Sequence, residues 1–338
     1  MSARRFWFGV AAWLVGALGA SAVVGTVLPF LPTDAWWVRV LDFPRFQLAI
    51  VAAVTGALTV LVFDRRRRGV QVFVGLLVVA AMYQAAEVFP FTRLARPQVR
   101  AVGGCGPGRV SLLVANVLQA NRNSAPFLAM ARRLDPDLVL ATETDQWWDR
   151  ELSALAAGYP HAVRHPLENT YGIHLYSKLE LIEPRVRFLV QEDIPSIHAR
   201  LRLRSGALVE FHGVHPTPPQ PARDTGPRDV ELILVARQVA GDRRPTIVAG
   251  DLNDVGWSGT TRQFQDISGL LDPRVGRGLY ATFNANWPLL QWPLDHVFVD
   301  ASFSLLRMER LGHIGSDHFP IHVELCAGTP DTGARLGR

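Results

Sequence analysis

Charged side chains are missing altogether from three long stretches of this 338-residue chain, and the two cysteines are too few for a disulfide-built scaffold. No internal repeat is present, which excludes solenoid and propeller architectures. Positive charge is also scarcer than the bulk values suggest. The formal net charge is +5 and the pI is near 9.7, yet residues 1–100 hold 11 Arg against 4 acids while residues 101–338 hold 24 Lys plus Arg against 26 acids. The remainder therefore has no overall basic field of the kind that gathers polyanions, although a local basic groove stays open.

What is present in the charge-free stretches is apolar. "FWFGVAAWLVGALGASAVVGTVL" (6–28) and "FQLAIVAAVTGALTVLVF" (46–63) are each long enough to cross roughly 30 Å of hydrocarbon. "VQVFVGLLVVAAMYQAA" (70–86) is a third, shorter run that carries two Gln, within a candidate span over 70–88. "ASA" at 20–22 resembles a signal-peptidase site, but the run is long for a signal peptide and two more follow. A hydrophobic hairpin buried in a soluble core is the other competing reading, and core helices rarely stay apolar on every face for this length. The expectation is a membrane region over 1–91.

Arg4 and Arg5 before the first run and "DRRRRG" (64–69) between the second and third set those ends on the cytoplasmic side of a bacterial-type membrane. With three crossings the chain emerges on the outer, periplasmic or extracellular face; with two it stays inside. Arg39, Arg45, Arg93, Arg96 and Arg100 on the opposite side narrow the margin. Cys105 and Cys326 flank the rest of the chain and would staple its ends in an oxidising compartment; two unrelated thiols are the alternative.

"TRLARPQVRAVGGCGPG" (92–108) has no period and is expected to be a linker to a domain over 109–326, with a disordered tail over 327–338. Within the domain, "RVSLLVANV", "DLVLAT" (137–142), "YGIHLYSK" (171–178), "HARLRLRSGALVEFHGVH" (198–215, a hairpin over Ser205-Gly206), "TIVAGDLND" (246–254), "LDHVFVD" (294–300) and "PIHVEL" read as strands. "SAPFLAMARRL" (124–134) reads as a helix with a Ser cap, and "RDVELILVARQVAG" (228–241) as a helix closed by Gly. Interspersed helices and consecutive middle strands suggest two packed sheets covered by helices.

The strands end on polar residues. "LLVAN" delivers Asn116, "LVLATE" Glu143, "FHGVH" His215, "TIVAGDLN" Asp251 and Asn253, "WPLDHVFV" Asp295, and "GSDHFPIHVEL" (315–325) Asp317 and His318. Singly these have plain readings: Asn116 as a turn residue, Glu143 as a helix-start acid, His215 as a packed loop histidine, and Gly-Ser-Asp as turn chemistry. Together they would fill one cleft with acids, amides and imidazoles, which calls for a metal counter-charge.

The order and context resemble the endonuclease/exonuclease/phosphatase superfamily, the DNase I-like metal-dependent phosphoesterases, over roughly 109–325, with "AGDLND", "GSDHFPI" and "LDHVFV" after "TFNANWP" as the telling segments. The resemblance implies an α+β fold, a four-layer α/β/β/α sandwich behind an N-terminal helical transmembrane region. It implies that Asn116, Glu143 and Asp317 hold a divalent metal, Mg²⁺ or alternatively Mn²⁺ or another cation. Asp251 would position or deprotonate the attacking water, and Asn253 would hold a phosphate oxygen or the Asp251 side chain. His318 would bond the scissile phosphate, steadied by Asp295, with His215 as a second phosphate-facing imidazole and Tyr171 near a phosphate-binding position. The expected partners are a phosphate-ester substrate (lipid headgroup, nucleic acid or small molecule) and the bilayer, with no protein partner. A catalytically idle domain on a membrane stem is the competing expectation; it predicts losses among these residues, and none is missing.

Overall fold

The computed structural model describes residues 3–242 and 244–328. The chain forms two compact units: one holds residues up to Leu94 together with Pro219–Asp224, the other Ala95–Pro218 and the chain from Thr225 onward.

In the first unit, helices α1 (Ala3–Val27), α3 (Arg45–Val62) and α4 (Arg68–Val88) are long and apolar enough to cross a membrane; a single turn, α2 (Trp36–Arg39), lies between the first two. All three expected runs are thus helical, including the one carrying glutamines. The helices touch through small residues: Ala22, Ala52 and Ala80 pack with Leu77, and Gly56 lies against Leu77. Such residues let helix backbones approach closely where the surroundings are as apolar as the interface. Polar groups tie the bundle at one end. Buried Arg45 pairs with Asp42 at 2.6 Å and donates to Gln84 Oε1 at 3.3 Å, while Gln84 Nε2 donates to Thr26 Oγ1 at 3.0 Å.

The second unit contains strands β1 (Arg109–Asn116), β2 (Leu138–Thr142), β3 (His161–His165), β4 (Ile173–Ser177), β5 (Glu180–Phe188), β6 (Pro195–Arg202), β7 (Leu208–Val214), β8 (Thr246–Asp251), β9 (Asp295–Val299), β10 (Phe303–Arg310) and β11 (Ile321–Ala327). They make two sheets, ordered β10-β11-β1-β2-β4-β3 and β5-β6-β7-β8-β9. Alternation in the strands supplies the core between them: Leu112, Val114, Leu138 and Leu140 from one sheet meet Phe211, Ile247, Ala249 and Val297 from the other. The opposite faces are covered by helices. On the first sheet Leu113, Val139 and Tyr176 pack with Phe127 of α5 (Ala125–Leu134) and Trp148 of α6 (Gln146–Leu152). On the second, Val248 and Phe298 pack with Leu232 and Val235 of α7 (Gly226–Gly241) and Phe264 of α8 (Gly259–Ser268). The result is the expected α/β/β/α sandwich.

Several elements differ from the sequence expectation. β3, β5, β10, α6 and α8 were not legible. β5 has a burial pattern that breaks alternation because Glu183, in the left-handed region at φ 48°, and Pro184 sit in a register shift between Ile182 and Arg185. Ser124 does not cap α5 with its side chain; its hydroxyl donates to Glu151 instead. Residues 95–108, expected as a linker, belong to the second unit. Val99 is wholly buried in the inter-sheet core, Ala101 bridges to Leu305, and Cys105 forms a disulfide with Cys326. The expected tail starts one residue too early, because Ala327 closes β11, and from residue 329 it lies outside the described residues.

Two stability tests follow from this packing. The disulfide closes a loop across 221 positions, so Cys105→Ser with Cys326→Ser should lose roughly 3–5 kcal/mol in chemical denaturation. Glu231 on α7 is buried, its Oε1 has no partner, and burial pushes its carboxyl up to about 8. Between the ordinary carboxyl range and about pH 8 the folded chain keeps that proton and the unfolded chain releases it, so stability falls as pH rises. Glu231→Gln should therefore raise the melting temperature at pH 8 much more than at pH 5; an equal gain at both would contradict this.

Candidate active site

Strand direction explains why the polar strand ends meet. β1 and β2 are parallel neighbours joined through α5, and β7 and β8 are parallel neighbours joined through α7, so the residues following each pair emerge at one rim. β4, β9 and β11 run antiparallel to β2, β8 and β1, so at that same rim they begin. Asn116, Glu143, His215 and Asp251 come from strand exits; Tyr171, Asp295 and His318 come from strand entries.

Across the rim, Asn116 Nδ2 donates to Glu143 Oε1 at 2.8 Å and to Asp251 Oδ2 at 3.0 Å, linking the two sheets. Glu143 Oε2 also accepts from the Gln119 backbone N–H at 3.2 Å. Asp251 Oδ1 accepts from the Asn253 N–H at 2.9 Å. Its Oδ2 lies 3.6 Å from His318 Nε2 and 3.7 Å from His215 Nε2. His318 Nδ1 bonds Asp295 Oδ2 at 2.8 Å, which fixes the ring so that Nε2 faces Asp251. The Tyr171 ring stands 5.3 Å from that of His215, and the Phe283 ring 5.0 Å from that of His318.

Local backbone form delivers these groups. Glu143 and Asn253 are both left-handed, at φ 59° and 51°. The helix-start acid after β2 is Asp145, which accepts from Trp148 N, so Glu143 is left to face the rim. Two glycines permit the turns: a Cβ on Gly172 would fall 1.8 Å from Thr144 O, and one on Gly250 would fall 1.9 Å from Val214 O.

Burial dominates the electrostatics. It pushes the Glu143 carboxyl up, against bonds from Asn116 and Gln119. It also pushes Asp251 up, with the Asp295 charge adding to the effect and His318 opposing it. His215 is driven down to about 4 by burial and is therefore a neutral imidazole near pH 7. For His318 burial works downward too, but the carboxylates of Asp295 and Asp251 outweigh it and raise the imidazolium to about 10. The two histidines beside one carboxylate are thus driven to opposite charge states.

The structure brings together Asn116, Glu143, His215, Asp251, Asp295, His318 and the Tyr171 ring. Asn253 lies beside them, but its side-chain Nδ2 donates to Pro216 O at 2.9 Å and only its backbone N–H holds Asp251. The Asp317 carboxylate accepts from Ser316 Oγ at 3.5 Å, and its charge adds to the field on His318. Among the described residues, the acids and histidines whose ligand atoms cluster within 4.8 Å are Asp251, Asp295 and His318.

Sequence reasoning missed the support behind this rim. Buried Arg228 on α7 donates to Asn253 O at 2.8 Å and lies 3.5 Å from Asp254. Asp254 accepts from Ser258 and Thr261 at the start of α8, and its carbonyl accepts from His296 Nε2 at 2.8 Å. His296 adjoins Asp295, and strand alternation, which turns Asp295 and His296 to opposite faces, was the available signal. Thr282 was also overlooked; its hydroxyl accepts from Asp295 N at 3.2 Å.

The donor set fits a hard cation. Asp251 and Asp295 are buried close together, Glu143 is linked to Asp251 through the Asn116 amide, burial drives Glu143 and Asp251 toward protonation, and Asp295 Oδ1 is buried without a partner. Carboxylate and amide oxygens suit Mg²⁺ or Mn²⁺.

A helix-covered double sheet with acids and imidazoles gathered at one rim defines the DNase I-like class of protein. A model described as the endonuclease/exonuclease/phosphatase family matches residues 113–318, and the chain belongs to that family. Its members are generally hydrolases of phosphate esters and generally use divalent metals. None of the curated proteins matches significantly in sequence. Among solved structures, humanized TDP2 of D. rerio is 15% identical with TM-score 0.53, the match covering 64% of this chain and 99% of that one. An endonuclease/exonuclease/phosphatase of Beutenbergia cavernae is 18% identical with TM-score 0.53, covering 65% and 72%. The catalytic domain of human Nocturnin with bound sulfate is 16% identical with TM-score 0.53, covering 68% and 99%. At such identities the likeness shows the fold.

The tight approach at Gly172 makes a direct prediction. Gly172→Ala should displace the turn carrying Glu143 and destabilise the protein by about 2 kcal/mol or more in denaturant melts. An unchanged midpoint would mean that the turn yields freely.

Proposed function

We propose that this chain is a membrane-anchored, divalent-metal-dependent phosphoesterase that hydrolyses a phosphodiester or phosphomonoester by in-line attack of water. One observation carries the reading: Asp251 Oδ2 accepts from the Asn116 amide and faces two imidazoles, one of them held by Asp295. Asn116 and Glu143 would hold the cation, with Asp317 contributing negative charge beside His318. When bound, Mg²⁺ or Mn²⁺ neutralises the phosphate oxygens and stabilises the charge that builds on them during attack.

The chain's own groups divide the remaining work. Asp251, pinned through Oδ1 by the Asn253 N–H, orients the water and takes its proton at Oδ2. His318, fixed by Asp295, donates through Nε2 to a phosphate oxygen and protonates the leaving oxygen. Neutral His215 supplies a second polar contact to the phosphate, with the Tyr171 ring at its side. Asn253 acts by holding the loop after β7 and the Asp251 carboxylate in register.

Anchoring rests on the three helices long and apolar enough to span a bilayer. Three crossings with the Arg-rich ends inside put the catalytic unit on the outer face, and the Cys105–Cys326 disulfide supports an oxidising surrounding. Substrate class is less constrained. A TDP2 of D. rerio has been solved with a single-strand DNA product, whereas the acidic excess of residues 101–338 disfavours processive nucleic-acid binding here.

The full chain in detergent should hydrolyse bis-p-nitrophenyl phosphate with Mg²⁺ or Mn²⁺ and lose that activity in EDTA. Asp251→Ala and His318→Ala should each lower kcat by about 100-fold or more. Equal rates for all these samples would favour an idle binding module. For topology, a reporter fused after residue 100 should function only outside the cytoplasm; activity inside would overturn the three-crossing arrangement.

A further inference from the structure

The segment "YGIHLYSK" holds a histidine that the proposed reaction does not use. Ile173 and Leu175 face the core between the sheets, so strand alternation turns His174 and Tyr176 to the other side of β4, toward α6. His174 is wholly buried there and is bonded on both ring nitrogens. Nε2 meets Asp149 Oδ1 of α6 at 2.7 Å, and Nδ1 meets Thr144 Oγ1 at 2.7 Å. Asp149 also accepts two bonds from exposed Arg164 of β3, from Nε at 2.7 Å and from Nη2 at 2.5 Å.

The proton positions in this relay follow from charge. The Arg164 guanidinium holds the Asp149 carboxyl below the usual carboxylate range. A carboxylate only accepts, so His174 Nε2 carries a proton. Burial lowers the His174 imidazolium against the pull of Asp149, which leaves a neutral ring near pH 7 whose Nδ1 accepts. The Thr144 hydroxyl is therefore the donor. Thr, His and Asp are also the components of a nucleophilic triad, but Thr144 and His174 have no exposed surface, so no substrate reaches that hydroxyl.

A core histidine satisfied on both nitrogens is by itself only well paired. What distinguishes His174 is where its bond lands. Thr144 follows Glu143, whose left-handed backbone at φ 59° is unfavourable for a residue with a side chain. Such a conformation persists only where its surroundings over-determine it, and here every polar group of Thr144 is engaged. Its N–H donates to Gly172 O at 3.1 Å, its carbonyl accepts from Leu167 N at 3.0 Å, and its hydroxyl donates to His174. The backbone bonds hold the turn beside β4. The hydroxyl bond limits its rotation, because it is made off the chain axis to a ring that Asp149 clamps.

We propose that His174 is a positioning residue for Glu143: acting through Thr144, and clamped by Asp149 and Arg164, it fixes the turn that aims the Glu143 carboxylate at the rim and so sets the affinity of the site for its divalent cation. The cation half of this rests on the phosphoesterase reading. The positioning half does not, and it is measured without metal.

The Gln119 N–H donates to Glu143 Oε2 at 3.2 Å and so reports where that carboxylate lies. Thr144→Val keeps the side-chain shape and removes the hydroxyl, whereas Thr144→Ser keeps the hydroxyl. The full chain in detergent and EDTA is compared by hydrogen exchange and mass spectrometry. Peptides spanning Gln119 should exchange about fivefold faster or more in Thr144→Val and within about twofold of the unaltered chain in Thr144→Ser, with β8 peptides unchanged in both. After EDTA is removed, Mn²⁺ titration followed by electron paramagnetic resonance should show about tenfold weaker binding for Thr144→Val and little change for Thr144→Ser. A merely structural hydroxyl would lower the denaturation midpoint and leave Gln119 exchange and Mn²⁺ affinity unaltered; that result overturns the proposal. Equal impairment of the two variants overturns it as well. If Thr144→Val does not fold, Asp149→Ala, which frees the ring to change tautomer, decides in its place: faster exchange at Gln119 supports the relay and unchanged exchange overturns it. Failure of the unaltered chain to bind Mn²⁺ removes the cation reading instead, and exchange at Gln119 then decides the positioning alone.

Discussion

Burying several carboxylates in one cleft is electrostatically unfavourable, and the hydrogen bonds that make it tolerable here also join the two sheets. The Asn116 amide reaches Glu143 on its own sheet and Asp251 on the other. His318, from the entry to β11, lies against Asp251 while held by Asp295 on β9. Asn116, Asp251, Asp295 and His318 are buried, and the groups that bond them come from segments distant in the chain. The rim is therefore the point at which fold and chemistry depend on one another: loosening the sheet packing would leave charges uncompensated.

The rim also holds its shape through unusual backbone. Gly172 and Gly250 are positions where any side chain would strike a neighbouring carbonyl, and Glu143 and Asn253 take left-handed conformations to turn their polar groups inward. Behind them the chain Asn253, Arg228, Asp254, His296 forms a buried polar layer between β8, β9 and the helices. Such a layer supports the site by fixing loops that would otherwise be free to rearrange.

The three apolar helices and the double-sheet unit obey opposite solvent rules. The helices keep small and polar groups such as Ala52 and Arg45 inside and present Trp13, Leu61 and Val79 outward. The double sheet buries its aliphatic residues and exposes charge, except around the rim.

The sequence by itself determined a great deal here. Charge-free runs marked the three helices, since hydrocarbon-length apolar stretches have few other uses. Alternation marked the central strands, and the polar residues ending them identified Asn116, Glu143, His215, Asp251, Asp295 and His318, because an apolar strand that stops on an acid or imidazole delivers it to an edge. Edge strands β3, β5 and β10 were not legible: register shifts interrupt the alternation of β5 and β10, and β3 sets His161 and His165 on the same face as Val163. Only the tertiary structure decided which groups touch. It turned the Asn253 amide toward Pro216, recruited Arg228 and Thr282, and shifted the neighbouring histidines in opposite directions. The physical reason is that residue type and strand position are local properties, whereas burial, hydrogen-bond partners and charge state depend on segments that are distant in the chain and meet only on folding.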